Sequence, residues 1–323
     1  MGVLDTLDAD ELKLAPEAPA PTTAGAMKAM LTDERFSDPN WIYERKLDGI
    51  RCIGIRTGQT VTLLSRNDIS QNTRYPELVE ALEKEQCDRF VIDGEVVAFE
   101  GSETSFARLA QRAHHYVPVF YYVFDIVWLE GHDVRALPLR TRKRLLKNAL
   151  EFHGPVRWTQ HRNRDGAEYF KEACRKGWEG LVAKRADSPY VTTRSRDWLK
   201  FKCEHGQELV IGGFTEPRGS RVEFGALLLG YYRDGQLEYA GKVGTGFGTE
   251  TLHELGADMR ALERNDPPFA NPQGIKERDV TWVEPKLVAE VGFTEWTRDG
   301  RLRHPRFVGL RDDKAASEVV REG

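Results

Sequence analysis

Between Trp41 and Leu129 the chain is a succession of short apolar runs. "IRCIGIR", "VTLLSR" after the turn-like "TGQT", "RFVIDGEVVAF" and "VFYYVFDIVWL" are dense in β-branched and aromatic side chains and bounded by Gly, Asn or Asp, so they predict strands. Two stretches, "YPELVEALEKEQ" and "LPLRTRKRLLKNALEF", switch to helical periodicity, with Pro138 near the start of the second. Past "WLKFKCEHG" the texture changes again. "LVIGGF", "GALLLGYYRDGQLEYAGKVG" and "LVAEVGFTEWTRDGRLRHPRFVGLR" predict short strands separated by Gly-rich turns, with two "RDG" turns inside hairpin-like pairs. Only "ETLHELGADMRALER" predicts a helix there.

The fold class is therefore α+β: a first unit of helices with mixed or antiparallel sheets, then a small Greek-key barrel of the OB type, closed by about five strands with one helix between them. Residues 1–25, rich in Pro, Ala and Thr, predict an extended or partly disordered lead-in. The domains are expected at 26–203 and 204–323, with Glu204 in the hinge. No repeat of fixed period is visible.

Composition adds bounds. A chain of 323 residues favours two domains over one. With 40% hydrophobic and 30% charged residues, disorder is not the default. A net charge of -4 gives no global attraction to nucleic acid, so any basic face must be local. Cys52, Cys87, Cys174 and Cys203 are widely spaced, with no CxxC pair, which argues against zinc or a disulfide framework and for reduced thiols. The N-terminus lacks a signal-peptide pattern and no apolar run reaches membrane length, so a cytoplasmic protein without membrane contact is expected.

Candidate chemistry begins at "ERKLDGIRC", residues 44–52. A lysine amine is a nucleophile only when unprotonated, so Lys46 would need a lowered pKa, from nearby positive charge or desolvation. A polyphosphate with its metal ion, and Arg51 beyond the Asp48-Gly49 turn, would supply that environment. A solvated edge-strand lysine is the plainer alternative. "VIDGEVV" and "WEGLVAKR" then place Glu95, Glu179 and Lys184 in or beside further strands. Two glutamates followed by apolar residues suggest inward carboxylates, which cost free energy unless a cation compensates, and hard oxygen ligands suit Mg²⁺ or Mn²⁺. "WLKFK" alternates Trp198, Lys200 and Lys202 onto one face, where two lysines repel unless an anion lies between them.

Lys46-Leu47-Asp48-Gly49-Ile50-Arg51, Ser65-Arg66, Asp93-Gly94-Glu95, Phe124-Asp125, Glu179 to Lys184 and Trp198 to Lys202 occur in the order and spacing of the covalent nucleotidyltransferase motifs. The sequence resembles an ATP-dependent DNA ligase. With "GGFTEPRGSR", "FGALLLGYY", "YAGKVGTGF" and "HPRFVGLRDDK", it is similar to the ligase module of bacterial end-joining ligases from about residue 27 to 314. The resemblance implies a nucleotidyltransferase (adenylation) domain and an OB domain. It implies that Lys46 attacks the α-phosphate of ATP, that AMP passes to the 5′-phosphate of a nick, and that the 3′-hydroxyl then displaces it. Glu95 and Glu179 match positions that hold metal or ribose; Arg51, Arg66, Lys200 and Lys202 match phosphate-binding positions. Leu47 and Lys184 fall in the nucleotide-binding motifs. Phe124 matches the ring that stacks on adenine, though its aromatic-rich strand also suits a core role, and Glu44 would read the amino edge. Arg306, Arg311, Asp313 and Lys314 match the motif that orients pyrophosphate. "VGL" stands where many eukaryotic ligases carry an additional arginine, which leaves the pyrophosphate-facing arginine open.

Local charge fits such a substrate. Residues 184–202 hold six Lys/Arg against two Asp, a net of +4, and residues 298–314 hold six against three, a net of +3. Basic patches track a phosphate backbone without reading bases. The resemblance implies nicked or broken duplex DNA as substrate, a bacterial, nucleoid-associated monomer and an end-binding partner such as Ku; along the chain itself no added N-terminal DNA-binding domain, zinc finger, or fused polymerase or nuclease segment is expected. Two other readings share parts of this pattern: an RNA ligase or mRNA capping enzyme, separable by ATP against GTP labelling, and a DNA-end-binding OB protein that has lost catalysis.

Overall fold

Trp41–Lys46 and Ile50–Thr57 are separated by three residues, yet they enter different sheets. The Asp48-Gly49 pair is therefore a crossing between sheets and not the hairpin turn its sequence suggests. Asp48 fixes the crossing: its N–H donates to Thr104 Oγ1 at 3.1 Å and its carboxylate accepts from the Phe106 N–H at 2.9 Å. At Gly49 a side chain would collide with the Val96 carbonyl.

The structure, a computed structural model, describes residues 2–113, 115–203, 205–217, 222–277 and 279–322. Glu204, expected at the hinge, and the last four residues of "GGFTEPRGSR" lie outside the described residues. The chain divides into two compact units, Met1–Cys203 and Glu204–Gly323.

In the first unit one sheet runs in the order Lys28–Leu31, Arg194–Lys202, Gly180–Arg185, Trp41–Lys46, His161–Arg162. The second runs Val156–Trp158, Phe120–Leu129, Arg89–Val97, Ile50–Thr57, Thr60–Ser65, with His132–Asp133 added beside Phe120–Leu129. Each is antiparallel except for one parallel pair at an end. Alternation along the first sheet sends Tyr43, Leu181, Ala183 and Phe201 to one face, where they pack with Tyr169 and Ala173 of the helix Gly166–Arg175. A second core joins Ile53, Val91, Phe124 and Trp128 of one sheet to Trp198 of the other.

Three predicted helices form, at Pro76–Glu83, Leu139–Ala149 and Thr249–Arg260. The lead-in differs from expectation. Val3–Thr6 is a 3₁₀ turn and Ala9–Lys13 a helix capped by Asp8, whose carboxylate accepts from the N–H groups of Asp10 and Glu11. Glu11 then binds Thr141 at 2.6 Å and Arg144 at 2.8 Å, and Trp128 Nε1 donates to the Ala18 carbonyl at 2.8 Å. Specific polar contacts order a segment that is poor in large apolar residues.

The cysteines also depart from expectation, since Cys174 and Cys203 form a disulfide. They are 29 apart in sequence, but the helix ending at Arg175 packs on the strand ending at Lys202 and brings their Cα atoms to 5.4 Å. Cys52 and Cys87 are free thiols.

In the second unit seven strands form one sheet around His205–Thr215. Its first half pairs with Val288–Phe293 and its second with Leu227–Arg233 and Val280–Val283. The register slips between Ile211 and Gly213, and a side chain at Gly212 would run into Phe269. Leu227–Arg233 and Gln236–Val243 form a hairpin closed by Asp234 (φ 50°) and Gly235 (φ 76°), the positive-φ pair of a type I′ turn. The expected closed barrel is not found. Among the described residues no ladder joins the edges Gln236–Val243 and Arg306–Leu310; just past the first edge Gly246, at φ 96°, packs so close that a side chain there would strike the Phe307 carbonyl. The Phe307 N–H donates to the Thr245 carbonyl at 2.9 Å, and Phe247 stacks on Phe307 at 4.6 Å, covering the gap. No helix among the described residues is long and apolar enough to cross a membrane.

Candidate active site

Register places the candidate residues in rows across the first sheet. Lys46 and Lys202 flank Gly180; Glu44 and Lys200 flank Val182; Lys184 lies opposite Trp198. Directly opposed residues share a face, so Glu44, Lys46, Lys184, Lys200 and Lys202 all project to the side away from the Phe201 core. Gly180, at φ 147°, sits where a side chain would strike the Phe201 carbonyl. Glu179, just before it, places Oε1 2.5 Å from Lys46 Nζ. Leu47 is the first residue of the crossing that follows.

The charge state of Lys46 runs against expectation. Burial pushes its ammonium toward neutrality, but Glu179, with smaller contributions from Asp48 and Glu95, outweighs burial and raises its pKa. The lysine pulled down is Lys184, to about 8, by burial and the nearby Lys143 ammonium against the attraction of Glu44. Glu179→Gln is therefore expected to make Lys46 more reactive in the protein without nucleotide. Peptide mapping after pulse acylation near pH 8 should show faster labelling at Lys46; unchanged labelling would mean that Glu179 does not hold its proton.

Across from this face lies the second sheet. Arg51 pairs in register with Glu95, forms a two-pronged salt bridge with Asp93, and donates to the Met27 carbonyl at 3.2 Å. Its guanidinium lies 4.7 Å from the Phe124 ring centre and 5.6 Å from that of Trp198. Arg51, expected on phosphate, is thus already engaged by a carboxylate. Arg66 is different: its Nε and Nη2 are buried without a hydrogen-bond partner, which suits an anion. Phe124 is only 8% exposed and carries the Lys184 ammonium 4.0 Å from its ring centre.

Glu44 is buried between two lysines, with Lys143 Nζ at 2.6 Å and Lys184 Nζ at 2.7 Å. Burial raises its pKa, but the two ammonium groups prevail and hold the carboxyl below its usual range. His161 lies opposite Glu44, and burial together with Lys143 pulls its imidazole down to about 4, so it is neutral at physiological pH. Asp93, Lys143 and His161 are the residues that sequence reasoning gave no role. For Lys143 a signal existed: it follows Leu139 by four and precedes Leu146 by three, on the buried stripe of its helix.

Among the described residues no group of three or more His, Cys, Asp or Glu is arranged to hold a metal. The residues nevertheless fit a hydrated divalent ion, because Glu179 Oε2 is buried without a hydrogen-bond partner and Glu95 lies near enough to act on Lys46. Mg²⁺ commonly takes one or two carboxylates and completes its shell with phosphate and water.

In the second unit Arg311 is committed internally, with Nε and Nη2 each 2.8 Å from the buried Asp313 carboxylate and Nη1 3.6 Å from Glu290. Lys314 Nζ lies 2.7 Å from Glu208 Oε2. Arg306 is exposed, opposite Gly292.

Comparison with known proteins places this geometry. Residues 21–202 match the family described as "ATP dependent DNA ligase domain", and residues 220–314 match "ATP dependent DNA ligase C terminal region". The multifunctional non-homologous end joining protein LigD of Pseudomonas aeruginosa is 37% identical over 291 residues, covering 87% of this chain and 35% of that protein. Its counterpart from Mycolicibacterium smegmatis is 35% identical over 320 residues, covering 97% of this chain and 41% of that protein. The chain thus spans well under half the length of these relatives. A solved structure of mycobacterial DNA ligase D complexed with ATP and MES superposes with a TM-score of 0.66 at 34% identity, covering 92% of this chain and 98% of that one.

Proposed function

Because the chain belongs to the ATP-dependent DNA ligase family, we propose that it seals 3′-hydroxyl/5′-phosphate nicks in duplex DNA through an AMP-lysine at Lys46. The observation that carries this reading is the Lys46–Glu179 pair on a sheet face shared with Lys200 and Lys202. The Lys46 ammonium first loses a proton; the free Nζ then attacks the α-phosphorus, the N–P bond forming as the bond to the bridging oxygen of pyrophosphate breaks, and the second proton leaves the nitrogen, both protons being carried off by water and the departing pyrophosphate. AMP then moves to the 5′-phosphate of the nick, and the 3′-hydroxyl expels it as the phosphodiester forms.

All three steps are displacements at phosphorus, so positioning and charge neutralisation dominate. Lys200, Lys202 and Arg66 bind the phosphates, and Phe124 and Glu44 take the base. Arg51, held by Asp93, lines the wall nearest Phe124. A divalent cation, Mg²⁺ or Mn²⁺, supplies neutralisation of the phosphate oxygens, with Glu95 and Glu179 as its protein ligands. A cation held by Glu179 would weaken that carboxylate's hold on the Lys46 proton and would favour the free amine. In the OB domain, Arg306 is the arginine open to pyrophosphate, while Arg311, Asp313 and Lys314 brace its strand.

The names of the LigD relatives extend the proposal to joining broken ends, and the resemblance adds a bacterial cytoplasmic location at the nucleoid with an end-binding protein such as Ku aligning the termini. One assay tests the core of it: the protein given α-labelled ATP and a divalent cation should retain label, and a chase with nicked duplex should yield sealed strand and free AMP. Label that transfers from GTP instead, or never reaches DNA, would overturn it.

A further inference from the structure

Lys143 does something that its place in the helix Leu139–Ala149 does not require. Its ammonium lies 2.6 Å from Glu44 Oε1, on the first sheet, and also donates to the Phe124 carbonyl at 3.1 Å, on the second. It is 3% exposed and caps the Trp158 ring at 4.5 Å, so water does not compete for its three hydrogens. Glu44 and Phe124 are the two residues that the proposed function places on the adenine base, one at its edge and one against its face. One buried cation therefore ties together base contacts from two sheets.

We infer that Lys143 is a positioning residue for base selection: it fixes the Glu44 carboxylate as an acceptor for the 6-amino group of adenine and holds it in register with Phe124. The inference rests on the proposed reading of the site. Its chemistry follows from the cluster. Glu44 is 2% exposed in the protein without nucleotide, and a carboxylate has about four lone-pair directions, so two lysines leave capacity for a further donor at the edge facing the nucleotide site. Adenine presents an N–H donor at C6, whereas guanine presents a carbonyl that the carboxylate repels. Lys184 also contacts Glu44, but it leans on the rings of Phe124 and Trp198, at 4.0 and 3.9 Å.

The test separates base reading from simple structural support. Nucleotidyl-enzyme formation is measured with ATP and with purine riboside triphosphate, which lacks only the 6-amino group. Wild type should favour ATP by about tenfold or more in kcat/KM, the scale of one hydrogen bond to a charged group. Lys143→Met should weaken ATP while barely affecting the analogue, bringing the ratio to within about threefold, and Lys143→Arg should restore most of it. Equal losses with both nucleotides, or a wild type that does not distinguish them, would overturn the inference. If Lys143→Met does not fold, Lys143→Gln, which keeps a donor for the Phe124 carbonyl, carries the same comparison. If no neutral variant folds while Lys143→Arg keeps full discrimination, Lys143 is structural and the inference fails. A wild type that takes up neither nucleotide would sink the proposed function instead.

Discussion

Lys46→Ala protein, incubated with α-labelled ATP and a divalent cation, should show no covalent label and no added nucleotide mass, while wild type shows both. The loss is expected to be complete because the substitution removes the atom on which the bond forms. Stability should barely change. Lys46 ends a strand, with its side chain 18% exposed, and its partner Glu179 is 27% exposed and reachable by water once alone. Changes at such partly solvated pairs usually stay within about 1 kcal/mol. A denaturant midpoint close to wild type, together with absent labelling, is therefore the expected pairing. Label at wild-type level would remove Lys46 from the mechanism.

The largest loss of stability is expected at Asp125→Ala. Asp125 and Arg142 are fully buried and meet through two hydrogen bonds, Nε to Oδ1 at 2.8 Å and Nη2 to Oδ2 at 2.9 Å. The guanidinium also donates to the carbonyls of Leu137 and Ser188. Removing the carboxylate leaves a cation with nowhere to find water, which typically costs about 3–5 kcal/mol. That is a large share of the roughly 5–15 kcal/mol that holds a domain together. Chemical denaturation should show the loss directly, and a midpoint near that of wild type would show that the buried pair contributes nothing net. Because Asp125 follows Phe124 and Arg142 precedes Lys143, this bond also ties together the strand and the helix that carry two residues of the proposed base site.

Much of this organisation was legible in the chain. Strands such as Arg89–Val97 and Phe120–Leu129, and the helices at 76–83, 139–149 and 249–260, follow from local period and turn residues. The alternation in "WLKFK" correctly put Lys200 and Lys202 on one face. What local pattern does not encode is the identity of distant partners. Glu179 was read as an inward carboxylate, but nothing near it in sequence says that it would hold the proton of Lys46. Arg51 was matched to phosphate by its motif position, and its bond to Asp93, 42 positions away, is invisible to a reading of spacing. The turn at Asp48-Gly49 is a crossing between sheets, and nothing local says so, because it depends on Thr104 and Phe106. The two edges of the second sheet meet through the single Phe307–Thr245 bond and not a full ladder, which local pattern does not foretell.

The bond between Cys174 and Cys203 encloses both strands that carry Glu179, Lys184, Lys200 and Lys202. Holding 29 residues in a ring denies the unfolded chain conformations worth about 3–4 kcal/mol by loop entropy. That contribution disappears wherever thiols are kept reduced. Samples prepared with and without a reducing agent are, thermodynamically, two materials, and melting temperatures measured on one do not transfer to the other.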